Sequence, residues 1–172
     1  HDTVSAIRHS ILRKLVSDLG ETCNLAVLKR GELIYLDRVE ANWALRLHLP
    51  SGTVLPPHCS ASGKLLLAFK TPEERSKLLE NLPLEKFTHR TITDRDLLES
   101  ELERIVSTGY AVDNEEYVLG VSCVAVPVRD ATGEVVAAIA VHAATARLPL
   151  NQAMEHIPKL KEASARISQT LS

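Results

Sequence analysis

Residues 109–142, GYAVDNEEYVLGVSCVAVPVRDATGEVVAAIAVH, constrain the fold more than any other stretch. Two apolar runs, 121–128 and 135–141, flank Arg-Asp-Ala-Thr-Gly-Glu and read as a β-hairpin. Asp-Ala-Thr-Gly suits a type I turn followed by a positive φ at Gly133. With 130–133 as the loop, Arg129 faces Glu134 and Cys123 lies opposite Ala140. Side chains alternate along a strand, so one face gathers Val124, Val126, Val128, Val135, Ile139 and Val141. The other gathers Cys123, Ala125, Pro127, Val136, Ala138, Ala140 and His142, with Asp113 at its margin. Bulk on the first face suits a packed core. Small residues on the second leave room above the sheet, as a pocket floor would need.

Upstream, Val4, Ile7, Ile11, Leu15 and Leu19 recur at three- and four-residue intervals, a helical stripe stopped near Gly20. Segments 22–28, 33–38 and 44–49 read as strands, with turns at Lys-Arg-Gly-Glu and at 40–42. The loop 50–57 carries Val54 and Leu55, so part of it is expected to turn inward. A helix follows over 60–69, then a second capped by Thr71 with Pro72 in its first position. Another starts near Thr93 or Asp94, presents the stripe Leu97, Leu98, Leu102, Ile105 and Val106, and stops at Gly109. Residues 149–171 read as mostly helical, interrupted near Pro158. Hairpin-joined strands interleaved with helices predict one α+β domain around an antiparallel sheet.

Composition narrows the function classes. Only 3% of the 172 residues are aromatic and the net charge is −2, which argues against base stacking and against gripping a phosphate backbone unaided. Cys23, Cys59 and Cys123 are widely spaced and form no C-x-x-C pair, so a reducing cytoplasm is expected and a disulfide framework is not. No apolar run has membrane-spanning length, and no signal peptide is evident. The first residue is His1, so a fragment of a longer protein or a processed chain is expected.

The stretch Pro-Pro-His-Cys-Ser-Ala-Ser-Gly-Lys at 56–64 is a second candidate site. A helix start leaves N–H groups free and favours anions. Small residues at Ala61, Ser62 and Gly63 would admit a ligand or another stretch of backbone. The Gly-Lys pair is not a phosphate-binding loop, because that motif's upstream glycine and following Ser/Thr are missing. Glu115 and Glu116 read as helix-start or surface acids, and His58 as a tie for the loop before its helix. Asp113, Cys123 and His142 would suit zinc by type but match no structural spacing, so no metal and no cofactor are expected. Cys59 or Cys123 paired with a histidine would make a thiol-dependent hydrolase, the alternative reading, although no nucleophile motif surrounds either. A bare scaffold or dimerisation module is a third.

Together these segments resemble the effector-binding domain of the IclR family of bacterial transcription regulators. The resemblance covers nearly the whole chain: the opening helix, Gly-Glu-Thr-x-x-Leu at 20–25, HCSASGKLLLA at 58–68, TITDRDLLESELERIVSTGYAVDNEE at 91–116 and GVSCVAVPVRDATGEVVAAIAV at 120–141. The spacing Gly109-x3-Asp113-x2-Glu116-x6-Cys123-Val-Ala resembles the family signature, with Arg129 a departure where an aromatic residue or histidine is more usual.

The resemblance implies a curved antiparallel sheet flanked by helices, similar to GAF, PAS-like and profilin-like sensor domains, over the whole of 1–172. It implies a small organic effector, often a carboxylate, on the concave face, and no enzymatic activity. DNA contact is expected through an amino-terminal winged helix-turn-helix domain not in this chain, whether as repressor or activator. A homodimer or homotetramer is implied, with no membrane partner. Carried over by position, the amides of Ala61 and Ser62 would face the effector's carboxylate, and Asp113 and Cys123 are polar pocket positions. Ala140 and His142 stand where members that bind small oxo acids carry serines, so the ligand is expected to differ. A partly protonated His142 is expected to pair with a second acidic group or accept from a ring hydroxyl. Leu47 and Leu55 would close the pocket, with a weaker contribution from Trp43.

Overall fold

A computed structural model describes residues 2–43 and 49–171. Helix α1 (Asp2–Leu19) leads into strands β1 (Thr22–Lys29) and β2 (Glu32–Val39), then the two-residue strand β3 (Val54–Leu55). Helices α2 (Ala61–Ala68), α3 (Pro72–Asn81) and α4 (Arg95–Thr108) follow. The chain continues through β4 (Ala111–Asn114), β5 (Val121–Arg129) and β6 (Val135–Ala144), and ends with α5 (Leu150–Ala153) and α6 (Ile157–Ser168). All six strands form one curled antiparallel sheet in the order β3-β2-β1-β6-β5-β4.

The predicted local signals act as local physics requires. Arg30 and Gly31 both take positive φ between the paired Lys29 and Glu32, the backbone of a two-residue hairpin. Ser60, Thr71 and Asp94 cap α2, α3 and α4 through their side-chain oxygens, and Gly109 ends α4 at a φ of 81°. The carboxyl-terminal break falls at the 3-10 turn Met154–His156, just before Pro158 enters the first turn of α6. The apolar stripe of α4 is narrower than expected: Leu98, Leu102 and Ile105 are buried, but Leu97 and Val106 are 63% and 48% exposed. Strand β4 and the short β3 were not anticipated as strands, although Leu55 does turn inward while Val54 faces out. The predicted strand at 44–49 falls, apart from Leu49, outside the described residues.

The β5–β6 hairpin keeps its turn but not the expected register. Asp130 N–H donates to Glu134 O and Gly133 N–H to Asp130 O, so the loop is one residue shorter than predicted. A bulge between Val128 and Arg129 adds a second one-residue shift, and Cys123 consequently pairs with His142 rather than Ala140. Two single shifts restore the parity of the faces. Only the residues between loop and bulge change sides: Val135 packs on the small-residue face, and Val136 points to solvent.

The two faces then diverge as the pattern requires. Val124, Val126, Val128, Ile139 and Val141 pack against α1 and α6 through Ile11, Leu12, Leu15, Leu160 and Ile167. On the opposite face Ala125, Ala138 and Ala140 admit α2 close to the sheet, where Leu65, Leu66 and Leu67 meet Leu98, Leu102 and Ile105 of α4. Apolar burial on both faces supplies the main driving force for folding. Gly63 permits the tightest approach, since a Cβ there would collide with the backbone of Pro57. The small residues at the start of α2 therefore serve a backbone contact at this position.

Candidate functional site

Strand register builds the floor of a pocket. Asp113 pairs with Cys123, Cys123 with His142, and His142 with Thr22, so the four form one row across β4, β5, β6 and β1. The adjacent row runs Ala111, Ala125, Ala140, Asn24 and Arg38. Above the floor lies the amino end of α2. Ser60 takes two of its early donors: Oγ accepts from Gly63 N–H and the carbonyl from Lys64 N–H, both at 3.0 Å. The N–H groups of Ala61 and Ser62 come before the first intrahelical bond and stay unpaired within the helix. A narrow cavity of about 20 Å³ lies between Ser60, the polar row of Asp113, Cys123 and His142, and the walls formed by Tyr35 and Leu55.

The cavity's titratable groups are held away from their ordinary charge states. Burial and the nearby Glu116 carboxylate push Asp113 up to about 7, against the pull of the Glu116 N–H that it accepts at 2.8 Å. A carboxyl tuned to neutrality can either donate or accept a hydrogen bond. Burial and the Arg38 cation lower His142 to about 3. The expected partly protonated His142 is thereby corrected: a cation on β2 disfavours a second one beside it. The Cys123 thiol is pushed up by burial and by the Asp113 carboxylate, and its sulfur lies 3.5 Å from His142 Nδ1. His142 Nε2 is buried in the wall with no hydrogen-bond partner.

Behind Asp113 lies a charge cluster that the sequence reading missed. Lys64 is fully buried in α2, with Nζ 2.9 Å from Glu116 Oε2 and 3.0 Å from Glu101 Oε2. Glu116 is buried too, and its Oε2 also accepts from Asn114 N–H at 3.0 Å, so the expectation of a surface or helix-start acid fails there. A lone lysine within the apolar Leu-Leu-Leu-Ala segment was the available signal, because a buried ammonium requires an acid.

Of the residues singled out from sequence, Asp113, Cys123, His142 and Leu55 line the cavity. Ala61, Ser62 and Ala140 are buried beside it without lining it. Leu47 lies outside the described residues. Trp43 faces outward instead: its indole N–H donates to Gly20 O at 2.9 Å, and the Arg147 guanidinium sits 4.3 Å above its ring. His58 does tie down its loop, through Nε2 to Glu85 O at 2.8 Å. Arg129, the departure from the signature, sits over the Phe69 ring at 5.2 Å. Neither Cys59 nor Cys123 has the lowered pKa of an activated thiol, since burial pushes both upward. Among the described residues, no three His, Cys, Asp or Glu side chains converge on a metal position, and no helix is long and apolar enough to cross a membrane.

The chain is 43% identical to SauR of Cupriavidus necator, described as a probable transcriptional regulator, over 96% of this chain and 66% of that protein. The fold superposes on the IclR of Thermotoga maritima with a TM-score of 0.90 at 33% identity, covering 98% of this chain and 68% of that one. An IclR homolog from Microbacterium hydrocarbonoxydans, solved in complex with 4-hydroxybenzoate, gives a TM-score of 0.87 at 27% identity, covering 98% and 68%. The chain spans between half and two thirds of the length of the first curated relatives it matches. Residues 1–169 match the family described as bacterial transcriptional regulator IclR, C-terminal. The curled sheet, the capped α2 and the signature row from Asp113 to Cys123 thus have one common explanation: this chain belongs to the IclR family of bacterial transcriptional regulators, as its C-terminal domain.

Proposed function

We propose that the domain senses a small organic acid held between the amino end of α2 and the polar row of the sheet, and that binding alters DNA affinity of the full-length regulator. The observation that carries this reading is the buried, unpartnered Nε2 of His142 in a cavity wall shared with Asp113 and Cys123. Buried polar atoms are rarely left unpaired, and an orphan facing a cavity is suited to a ligand. The free amides of Ala61 and Ser62 would take a carboxylate with the field of α2, and Asp113 and His142 would orient the remainder of the molecule. The 4-hydroxybenzoate complex of the Microbacterium homolog supports the ligand class. Leu55, with Leu47, would close the pocket, and Ala140 would leave room beneath the ligand.

Regulation would follow from differential affinity of the effector for alternative arrangements of a homodimer or homotetramer, with operator DNA bound through a winged helix-turn-helix domain. No covalent step or cofactor is required, and a cytoplasmic location fits the free thiols. A thermal-shift screen over aromatic, keto, hydroxy and sugar acids tests the reading, because a ligand of the folded state must stabilise it. A stabilising acid is expected to bind more weakly to Asp113→Ala and His142→Ala. Equal affinity in both variants removes those residues from the site, and stabilisation by no acid leaves a scaffold module.

A further inference from the structure

Aromatic side chains are scarce in this chain, yet two of its three tyrosines, Tyr35 and Tyr117, line the cavity. The third, Tyr110, packs on the opposite core. Neither Tyr35 nor Tyr117 belongs to the polar row that would hold the acid.

Both rings are braced from behind. Tyr35 is 6% exposed and sits in β2, paired with Ala26 of β1. Its backbone also donates to Thr53 O at 3.2 Å and accepts from Gly52 N–H at 2.8 Å. The Arg38 guanidinium carbon stands 5.5 Å from its ring centroid. Tyr117 lies in the loop between β4 and β5, edge-on to Phe87 with ring centroids 5.0 Å apart. That loop is itself fastened: the Thr88 hydroxyl donates to Glu115 O at 2.7 Å, and the Thr91 hydroxyl to Glu116 O at 2.6 Å. A ring held through its backbone and by an aromatic or cationic neighbour resists being pushed aside.

The space left between these walls is about 20 Å³. That is room for about one water molecule, whereas benzene occupies a cavity of about 150 Å³. Leu49 and Leu55 line the cavity too, and their aliphatic chains can change rotamer without breaking a polar contact. A leucine that yields makes room for a few atoms. A ring requires a tyrosine to leave.

We propose that Tyr35 and Tyr117 are the specificity-determining walls of the pocket, restricting the effector to short aliphatic acids and excluding aromatic ones. This rests on the effector reading above and narrows its ligand class. The ring acid bound by the Microbacterium homolog is expected to be rejected here.

The test uses the 172-residue chain. Calorimetry and thermal shift compare pyruvate, lactate and propionate with benzoate and 4-hydroxybenzoate. At least one short acid is expected to bind wild type about tenfold more tightly than either ring acid. Tyr117→Ala and Tyr35→Leu are each expected to bind 4-hydroxybenzoate about tenfold better than wild type does. Tyr117→Phe keeps the ring without the hydroxyl and is expected to go on excluding it. Should Tyr117→Ala or Tyr35→Leu fail to fold, Phe87→Leu removes a brace from outside the cavity, and a several-fold gain in ring-acid affinity is expected. Ring acids bound by wild type as tightly as short ones overturn the restriction and leave the effector reading standing. So does a preference for short acids that every folded variant leaves unchanged, or a Tyr117→Phe that admits ring acids. Binding of no acid by a folded wild type overturns both.

Discussion

Cys123 and His142 face each other across β5 and β6, the thiol sulfur 3.5 Å from Nδ1. The pair has the composition of a catalytic dyad but the opposite electrostatics. Burial keeps the thiol protonated and the imidazole neutral, and Arg38 adds to the cost of an imidazolium. A nucleophilic pair needs a thiolate beside a cation. This one instead leaves a neutral imidazole whose Nε2 is buried without a partner at the cavity wall.

All three cysteines are buried, and burial pushes each thiol upward, so the folded chain should resist thiol reagents. Ellman's reagent is expected to titrate little in native buffer and all three cysteines after denaturation. Rapid native modification of Cys59 or Cys123 would revive the hydrolase reading.

Asp113 and His142 drive stability in opposite directions with pH. Asp113 is raised from 3.8 to about 7, so the folded chain keeps a proton the unfolded chain releases; this stabilisation is full below about pH 4 and lost as pH rises through 7. His142 is lowered from 6.5 to about 3, so its contribution is full above 6.5 and lost as pH falls toward 3. The two slopes oppose each other between about pH 4 and about pH 6.5. Asp113→Asn should become more stable as pH rises through that window, and His142→Gln less stable, each by on the order of 1 kcal/mol per pH unit. Urea unfolding of the two variants across the window decides it, and slopes of the same sign would contradict the assignment.

Lys64 should behave as half of a buried ion pair. Lys64→Met leaves Glu116 buried with no cation and is expected to cost about 3–5 kcal/mol in chemical denaturation. Adding Glu116→Gln should recover part of the loss, since the uncompensated charge goes with it. A single variant of near wild-type stability would show that the cluster is solvated.

Gly63→Ala tests the close approach of α2 to the preceding turn. The added methyl meets the Pro57 backbone rather than a mobile side chain, so relief requires the helix to shift. A loss of about 1–3 kcal/mol is expected, measured by urea midpoint at unchanged m-value.

Much of the architecture was legible because its causes are local. Ser60, Thr71 and Asp94 cap the helices predicted from them, and Arg30-Gly31 and Asp130–Gly133 turn where their backbone preferences require. Alternation along β5 and β6 separated a bulky face from a small one, and that division survives in the two cores. The exposed Leu97 and Val106 misled the reading of α4, because periodicity reports which residues could face a partner and not how wide that partner is.

The sequence by itself determined the elements, their caps and the composition of each sheet face, since these depend on backbone preference and on neighbours a few residues apart. Tertiary structure decided the rest. A shortened loop and a one-residue bulge set Cys123 against His142, the pairing of β1 with β2 and β6 put Asn24 between Arg38 and Ala140, and α2 carried Lys64 to Glu116, 52 positions away. Register and long-range charge pairing are collective properties of the packed sheet. The protonation states of Asp113 and His142, which set what the pocket can hold, exist only once burial has removed them from water.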